Sequence, residues 1–380
     1  MTTDVTARAR TLRAGFVGGG FMAAVHSRAA RAAGAALEGA ASSSPAASAT
    51  AAERLGLAQG YASLDDLIAD VDVVHVCTPN ATHVEIATRA LEAGRHVICE
   101  KPLATDAAGA EALAALAADR GVVAAVPFVY RFHPMAREAR ARVAAGETGR
   151  LLGVQGAYLQ DWLAAPDDDD WRVDSAQGGP SRAFADIGSH LVDLLEFVSG
   201  DRIVRLNAAT RTAYRSRATN TDIATEDLVA VVVELASGAI GTLLVSQVAP
   251  GHKNGLVLEL SGTEASVRFE QEHPETLWIG RTDVSSIVER DPARLSADAA
   301  RLSIVPAGHP MGYQDAFNAF VADAYAAIAA ASDVGGVGAS DAGGVAPDGL
   351  PTFADGLRAV RVTEAVLASA ASGDWAEVRA

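Results

Sequence analysis

Cysteine is scarce in this 380-residue chain: two occur, Cys77 and Cys99, each near the end of a strand-like run. Two thiols without ligand spacing around them offer neither a disulfide framework nor a metal site, so reduced thiols and a cytoplasmic protein without metal are expected. An excess of positive charge is missing as well. The formal net charge is −16 at pH 7, which repels phosphate backbones and anionic lipid surfaces and argues against nucleic-acid and membrane partners. No apolar run is long enough to span a bilayer. Met1 to Arg13 carries arginines but no apolar segment behind them, so it does not read as a secretory signal. Internal repeats are not seen. What remains is a chain 49% hydrophobic and 21% charged, with material for two cores.

The first third alternates strands with helices. Leu12 to Val17 is an apolar run that ends in Gly18-Gly19-Gly20-Phe21-Met22-Ala23, and the alanine-rich stretch Ala24 to Ala33 follows as a helix. Gly18, Gly20 and Ala23 fit G-x-G-x-x-G/A in a strand–turn–helix setting, where glycines let backbone approach a pyrophosphate at a helix N-terminus. Strands are expected at Ala36–Ala41, Gln59–Tyr61, Val71–Val76, His96–Cys99 and Val122–Val126, with helices at Ser48–Leu55, Ser63–Ile68, Thr82–Ala93 and Ala107–Ala118. Such alternation implies a parallel, doubly wound sheet whose ligands collect at the carboxyl ends of its strands. Thr78, Pro79, Asn80, Glu100, Lys101 and Arg131 lie at those ends. The second strand ends in Ser42-Ser43-Ser44, with neither the carboxylate that would bind ribose hydroxyls nor a cation for a 2′-phosphate. The choice between NAD and NADP stays open.

From about Leu151 the pattern changes. Strand-like segments at Leu151–Gln160, Ile203–Thr212, Asp227–Glu234, Ala239–Val248, Leu256–Ser261 and Ala265–Glu270 suggest an antiparallel or mixed sheet in a second, α+β domain. Helices are expected at Gln314–Ala329 and Phe353–Ser372, with a flexible loop at about 333–351. The domains are drawn at 1–132 and 133–380. The run Asp167 to Asp170 reads as a solvated loop first and a metal site a distant second.

One polar stripe interrupts the apolar helix that carries Leu191, Leu194, Leu195 and Val198: Asp186, His190 and Asp193. Four residues advance a helix by about 400°, so Asp186 and His190 sit roughly 40° apart and can address one point. A carboxylate beside an imidazole is a plausible acid/base pair; an N-cap aspartate with a half-buried structural histidine is the bland alternative.

The motifs Gly-Gly-Gly-Phe-Met-Ala, Cys77-Thr78-Pro79-Asn80 with His83, Glu100-Lys101-Pro102, Tyr130-Arg131, Trp171-Arg172 and Asp186-Ile187-Gly188-Ser189-His190 occur in this order. Together they resemble the Gfo/Idh/MocA family of NAD(P)-dependent sugar and polyol oxidoreductases, from about Leu12 to the final helix. The resemblance implies a Rossmann domain, a second α+β domain with an open, mostly antiparallel sheet whose exposed face makes homodimers or homotetramers, and a catalytic set of Lys101, Asp186 and His190. It places Gly18, Gly20, Phe21, Met22, Ser42, Ser43, Thr78, Pro79, Asn80, His83, Glu100, Lys101, Arg131, Trp171 and Arg172 at the cofactor. Tyr158-Leu159-Gln160-Asp161-Trp162 and the later Trp-Arg are similar to members acting on pyranosides and anhydrosugars. Two departures stand out: Val129 replaces an asparagine frequent before Tyr-Arg, and the lead-in to the catalytic helix carries Arg182.

The implied reaction is oxidation of a secondary hydroxyl of a sugar, pyranoside or cyclic polyol by hydride transfer to nicotinamide. His190 is the base, Asp186 holds the imidazole and Lys101 steadies the alkoxide. Substrate contacts are expected from Lys101, Asp186, His190, Tyr158, Gln160, Arg182, His309 and Tyr313. Arg182 fits a hydroxylated or acidic substrate or, equally, a salt bridge across the domain junction. His309 and Tyr313 fit the pocket or helix-entry packing; Tyr158 and Gln160 share a strand face that is either core or pocket. Two other functions stay open: a tightly bound NAD used for transient redox during elimination or epimerisation, and a non-catalytic nucleotide sensor.

Overall fold

Two sheets organise the computed structural model, which describes residues 11–334 and 347–379. The first contains β1 (Arg13–Val17), β2 (Ala36–Ala41), β3 (Gln59–Gly60), β4 (Val73–Val76), β5 (His96–Cys99) and β6 (Ala124–Ala125). Its order is β3-β2-β1-β4-β5-β6 and every pairing is parallel, with the reversal of strand order beside β1 and β4. Parallel pairing needs helices on both faces, so the central strands are apolar on both sides. Phe16, Val74, Val76 and Ile98 are accordingly buried.

Helix boundaries follow local chemistry. Ser44 accepts a hydrogen bond from the Ala47 amide, Pro45 occupies the first turn, and Gly56 closes the Pro45–Leu55 helix in the left-handed region. Asp106 caps Ala107–Arg120 in the same way. One face of the sheet is covered by the Phe21–Ala32 helix together with Phe317, Phe320 and Val321 from Tyr313–Val334. The other is covered by Leu67, Leu91 and Leu113, with Phe353 and Val360 from the Phe353–Ser372 helix. Both C-terminal helices thus return to pack on the Rossmann layer.

The second sheet contains β7 (Leu151–Leu159), β8 (Ile203–Arg211), β9 (Leu228–Leu235), β10 (Ile240–Ser246), β11 (Gly255–Gly262), β12 (Ser266–Glu270), β13 (Thr276–Gly280), β14 (Ser285–Glu289) and β15 (Ala376–Glu377). Its order is β14-β13-β12-β11-β7-β10-β9-β8-β15. Pairing is antiparallel except between β7 and β10 at the centre. Along β9, Val229, Val231, Val233 and Leu235 point inward, where they meet Leu191, Leu194 and Leu195 of the Ser189–Ser199 helix. The helix Pro134–Ala144 and the strands β13, β14 and β15 had no counterpart in the sequence reading.

Residues 335–346 of the loop expected at about 333–351 lie outside the described residues. Its far end is anchored: Arg137 donates to the Asp348 carbonyl at 2.8 Å, and the Val126 amide to that of Pro351 at 3.1 Å. No helix among the described residues is long and apolar enough to cross a membrane.

Phe320 is fully buried between Phe132 and Phe317, where the Tyr313–Val334 helix meets the first sheet. Phe320→Ala should lower unfolding free energy by about 3–5 kcal/mol, the usual cost of a buried aromatic truncation. Urea unfolding measures it; a loss below about 1 kcal/mol would mean the helix is not part of that core.

Candidate active site

A cleft of about 1210 Å³ runs from the glycine turn after β1 to the start of the Ser189–Ser199 helix. Its walls come from the strand ends of the first sheet and from β7, Trp171-Arg172 and Asn254 of the second domain. At one end Gly18 adopts φ +101°, and a Cβ there would lie 2.7 Å from the Cys77 carbonyl oxygen. No L side chain fits that position without strain. Gly20 caps the Phe21–Ala32 helix and has nothing within 4 Å of where a Cβ would be, so the helix N-terminus is bare toward the cleft. Phe21, Met22, Ser42 and Ser43 line this end. A bare helix N-terminus reached through a side-chain-free turn is what a pyrophosphate requires, and these residues fit a dinucleotide.

Thr78, Pro79, Asn80 and Glu100 form the middle of the wall. Asn80 donates to the Gly178 carbonyl at 2.8 Å, tying the strand end to the second domain. His83 is buried behind this wall rather than in it. Its ring nitrogens lie 2.8 and 2.9 Å from the carbonyls of Pro102 and Thr78, one of which accepts its single N–H, so the ring sits behind two cleft loops and cannot reach a cofactor directly.

At the far end Lys101, Asp186 and His190 converge. The Lys101 ammonium donates to Asp186 Oδ1 at 2.5 Å and to its carbonyl at 3.0 Å. Gln247 donates to Oδ2 at 2.7 Å, and the Arg172 guanidinium lies 3.5 Å from Oδ1. Burial alone would raise the Asp186 carboxyl, but the charges of Lys101 and Arg172 outweigh it and hold it well below the usual range. Asp186 therefore holds cations, not the imidazole, which corrects the role expected from its spacing. The reason is local: Phe184–Gly188 forms a π turn in which the Ser189 amide bonds back to the Phe184 carbonyl, so α-helical angles do not apply. His190 is instead held edge-on by Phe128 and Tyr130, at ring separations of 5.6 and 5.0 Å. Its Nδ1 has no hydrogen-bond partner among the described residues. Burial first, and then the Lys101 charge, push this imidazole down to about 3.

Above this group stands a hydrogen-bonded row. Trp162 donates to Gln160 at 2.8 Å, while Gln160 and Tyr158 donate to Asn254 Oδ1 at 2.8 and 2.7 Å. Asn254 donates to the Tyr130 hydroxyl at 3.1 Å. Burial raises the Tyr130, Tyr158 and Tyr313 phenols, so all three keep their protons. Tyr158 thus serves core and cleft at once, and Tyr313 lines the cleft from the first turn of its helix.

Three further expected contacts lie elsewhere. Arg131 is buried between Asp193, whose Oδ2 accepts from Nε at 2.8 Å, and Asp355 at 2.8 Å, so it joins two helices instead of facing a cofactor. Arg182 is fully buried against Asp227, with Glu226 receiving its backbone amide; this salt bridge lies within the second domain. His309 is exposed, and its backbone makes its hydrogen bonds: the carbonyl accepts from Arg290 at 2.6 Å and the amide donates to the Pro306 carbonyl at 3.3 Å. The acidic run is loop stitching: Asp169 binds Thr219 and Asn220, and Asp170 caps Trp171–Val173. Among the described residues no group of three or more His, Cys, Asp or Glu is arranged to hold a metal. Asn254, Gln247, Tyr130 and Trp162 were not assigned as site residues from the sequence. Tyr130 stood in a quoted motif, but Asn254 sits in a connecting turn that carries no pattern of its own.

A parallel sheet with a dinucleotide-ready turn at its switch point, ending in a buried lysine–carboxylate pair beside a neutral imidazole, defines a nicotinamide-dependent oxidoreductase. Residues 12–128 match the oxidoreductase family with an NAD-binding Rossmann fold, and residues 136–268 the GFO/IDH/MocA C-terminal domain. Levoglucosan dehydrogenase of Pseudarthrobacter phenanthrenivorans is 30% identical over 353 residues, covering 86% of this chain and 85% of that protein. The structure of a levoglucosan dehydrogenase with NADH and levoglucosan superposes with a TM-score of 0.87 at 30% identity, covering 97% of this chain and 100% of that one. An inositol dehydrogenase homologue of Azotobacter vinelandii, complexed with NADH and myo-inositol, gives 0.86 at 28% identity, covering 97% and 98%. The chain belongs to the Gfo/Idh/MocA family of NAD(P)-dependent oxidoreductases, in which relatives are sugar and polyol dehydrogenases.

The His190 environment carries a sign. Its folded value of about 3 lies below the ordinary 6.5, so the unfolded chain takes up a proton that the folded protein refuses. Its contribution to stability is complete above pH 6.5 and fades as pH falls toward 3. At pH 5 the deficit is about 2 kcal/mol, from 1.5 units at 1.36 kcal/mol each. Between pH 7 and pH 5 the wild type should lose roughly that much more stability to urea than His190→Asn; equal losses would contradict the buried, neutral ring.

Proposed function

We propose that the chain oxidises a secondary hydroxyl of a sugar, pyranoside or cyclic polyol with NAD or NADP bound in the cleft. The observation that carries this reading is the convergence of Lys101, Asp186 and His190 at the end of the cleft opposite the glycine turn. The glycine turn, Ser42, Ser43, Thr78, Asn80 and Glu100 would hold the dinucleotide. When bound, its nicotinamide supplies the acceptor for the hydrogen that leaves the carbinol carbon with its electron pair. His190, neutral at working pH, takes the hydroxyl proton, and its buried ring gains charge only as the reaction proceeds. Lys101 donates to the oxygen on which negative charge develops, where a fixed cation acts most strongly in the transition state. Asp186 and Gln247 keep that ammonium in place. Tyr130, Tyr158, Gln160, Asn254 and Trp162 offer hydroxyl, amide and indole groups that suit a ring bearing several hydroxyls. A missing partner for one of them costs about 1–3 kcal/mol, so this row selects among stereoisomers.

The test is reduced-nicotinamide absorbance with either dinucleotide and a panel of pyranosides, anhydrosugars and cyclic polyols. Turnover should occur with a small group of them, and His190→Ala should lower kcat by about 10²–10⁴ while leaving the NADH dissociation constant within about threefold. Equal losses in both quantities would remove the base role. A nucleotide that stays bound with no net absorbance change would replace net oxidation by transient redox.

We also propose that the chain forms a homodimer or homotetramer through the open face of the second sheet. On that face Val232, Ile240 and Leu244 are 42, 59 and 41% exposed on the adjacent strands β9 and β10. Contiguous apolar exposure of this kind marks an association surface. Light scattering should show an oligomer in the wild type and a monomer for Leu244→Glu; a monomeric wild type would end the proposal.

A further inference from the structure

Behind the cleft wall lies a row of buried polar groups that the proposed reaction does not use. Glu100 Oε1 is 3.0 Å from His26 Nε2, His26 Nδ1 is 2.9 Å from His75 Nδ1, and His75 Nε2 is 2.8 Å from the Tyr325 hydroxyl. The four come from four different elements: the end of β5, the Phe21–Ala32 helix, β4 and the Tyr313–Val334 helix. Both imidazoles are fully buried. Phe317 lies 4.7 Å from the His26 ring, and Phe16 stacks 4.9 Å from that of His75, so neither ring has a polar alternative at its faces.

Proton counting orders the row. Burial holds the His75 imidazole well below its ordinary range, so that ring is neutral. Burial raises the Tyr325 phenol, which therefore keeps its proton. Among the described residues that hydroxyl meets no other acceptor, so it donates to His75 Nε2. His75 must then carry its proton on Nδ1 and donate to His26 Nδ1. His26 is left with its proton on Nε2, aimed at Glu100. Every donor finds an acceptor and no buried charge is needed besides that of Glu100.

We propose that His26 is a positioning residue for this site: backed by His75 and Tyr325, it holds Glu100 as an ionised, fixed carboxylate in the cleft wall. Its partner on the other oxygen, Oε2, is the Lys101 backbone amide at 3.1 Å. Burial would raise this carboxyl, and the bond from His26 together with the Lys101 charge brings it below the ordinary value instead. The other ionisable groups acting on Glu100 are Arg172, His190, Tyr313, His83, Cys77 and Cys99, and none of their side chains donates a hydrogen bond to it among the described residues. A carboxylate so held presents its remaining lone pairs to hydroxyl donors, such as vicinal ribose hydroxyls of a nucleotide. That consequence rests on dinucleotide binding in the cleft; the order of protons in the row does not.

The experiment is nitrogen-15 NMR of the full chain labelled in histidine, with His26 and His75 assigned through His26→Gln and His75→Gln. The expected result is His26 protonated at Nε2 alone and His75 at Nδ1 alone. A His75 ring protonated at Nε2, or a His26 ring carrying both protons, overturns the proposal. NADH fluorescence titration then reads the consequence. His26→Leu should bind NADH about tenfold more weakly, and more weakly still as pH falls from about 8 to 6, because Glu100 has lost a donor to its charged form. His26→Gln, whose amide can still donate, should stay within about threefold of wild type and show no such trend. Equal weakening in both variants, with no pH trend, overturns the positioning role. If His26→Leu does not fold, Tyr325→Phe tests the outer link: the His75 Nε2 signal must shift, and an unchanged signal counts against the row. Expected tautomers in a wild type that binds no NADH would remove the dinucleotide reading and leave the row standing; reversed tautomers with normal binding would do the opposite.

Discussion

The bond between Lys101 and Asp186 spans the junction of the two sheets, and the chemistry of the site depends on it. Lys101 follows β5 of the first sheet; Asp186 lies on the π turn that opens the Ser189–Ser199 helix of the second domain. Neither group would be stable there alone. A buried carboxylate or ammonium without its partner costs several kcal/mol, and breaking such a pair typically costs about 3–5 kcal/mol. Gln247 and Arg172 spread the Asp186 charge further, so the carboxylate stays ionised although buried. The result is a cation fixed in a low-dielectric cleft before any substrate enters. Such pre-organisation favours charge that develops during reaction over charge already present.

The same pair explains why His190 has to be held by something else. With its acceptor atoms committed to Lys101 and Gln247, Asp186 has no geometry left for the imidazole. Phe128 and Tyr130 orient the ring by edge contacts, which fix its plane without giving it a proton acceptor. An imidazole oriented by apolar edges resists protonation until a reaction supplies both the proton and a compensating charge. A carboxylate bonded to the ring would have raised its proton affinity in the resting state.

Much of this was legible in the sequence, for identifiable reasons. The first sheet was read almost strand for strand, because strands buried on both faces are continuous apolar runs, and β2 and β5 fell on the expected residues. Lys101, Asp186 and His190 came from the family resemblance, the last two also from their spacing, and all three line one cleft. What could not be read depends on long-range partners. The Pro134–Ala144 helix was missed because Arg137 lies on its buried face, against Phe132 and Phe197, and so breaks the apolar periodicity. β13 and β14 run at the sheet edge, where Ile287 is exposed and the alternation is short. Arg131 was placed at the cofactor, and Arg182 was left between a substrate contact and a salt bridge, because a sequence shows a cation without showing Asp193, Asp355 or Asp227 across from it. The π turn left no trace in the sequence pattern, and an angle computed for an α-helix gave Asp186 the wrong partner.

The Tyr313–Val334 helix shows how the two ends of the chain share one site. It follows the second sheet in sequence, yet it packs on the first, through Phe317, Phe320 and Val321. Its first turn sets Tyr313 in the cleft, and Tyr325 lies three turns further along, about 18 Å at 1.5 Å per residue. A single rigid rod thus contributes to the cleft and to the buried row that ends at Glu100. Because Phe317 stands between them, against both Tyr313 and His26, packing and hydrogen bonding are set by the same side chain. The helix cannot tilt to suit the cleft without disturbing the row behind it. The site is therefore a property of how three layers are locked together, more than of any one motif.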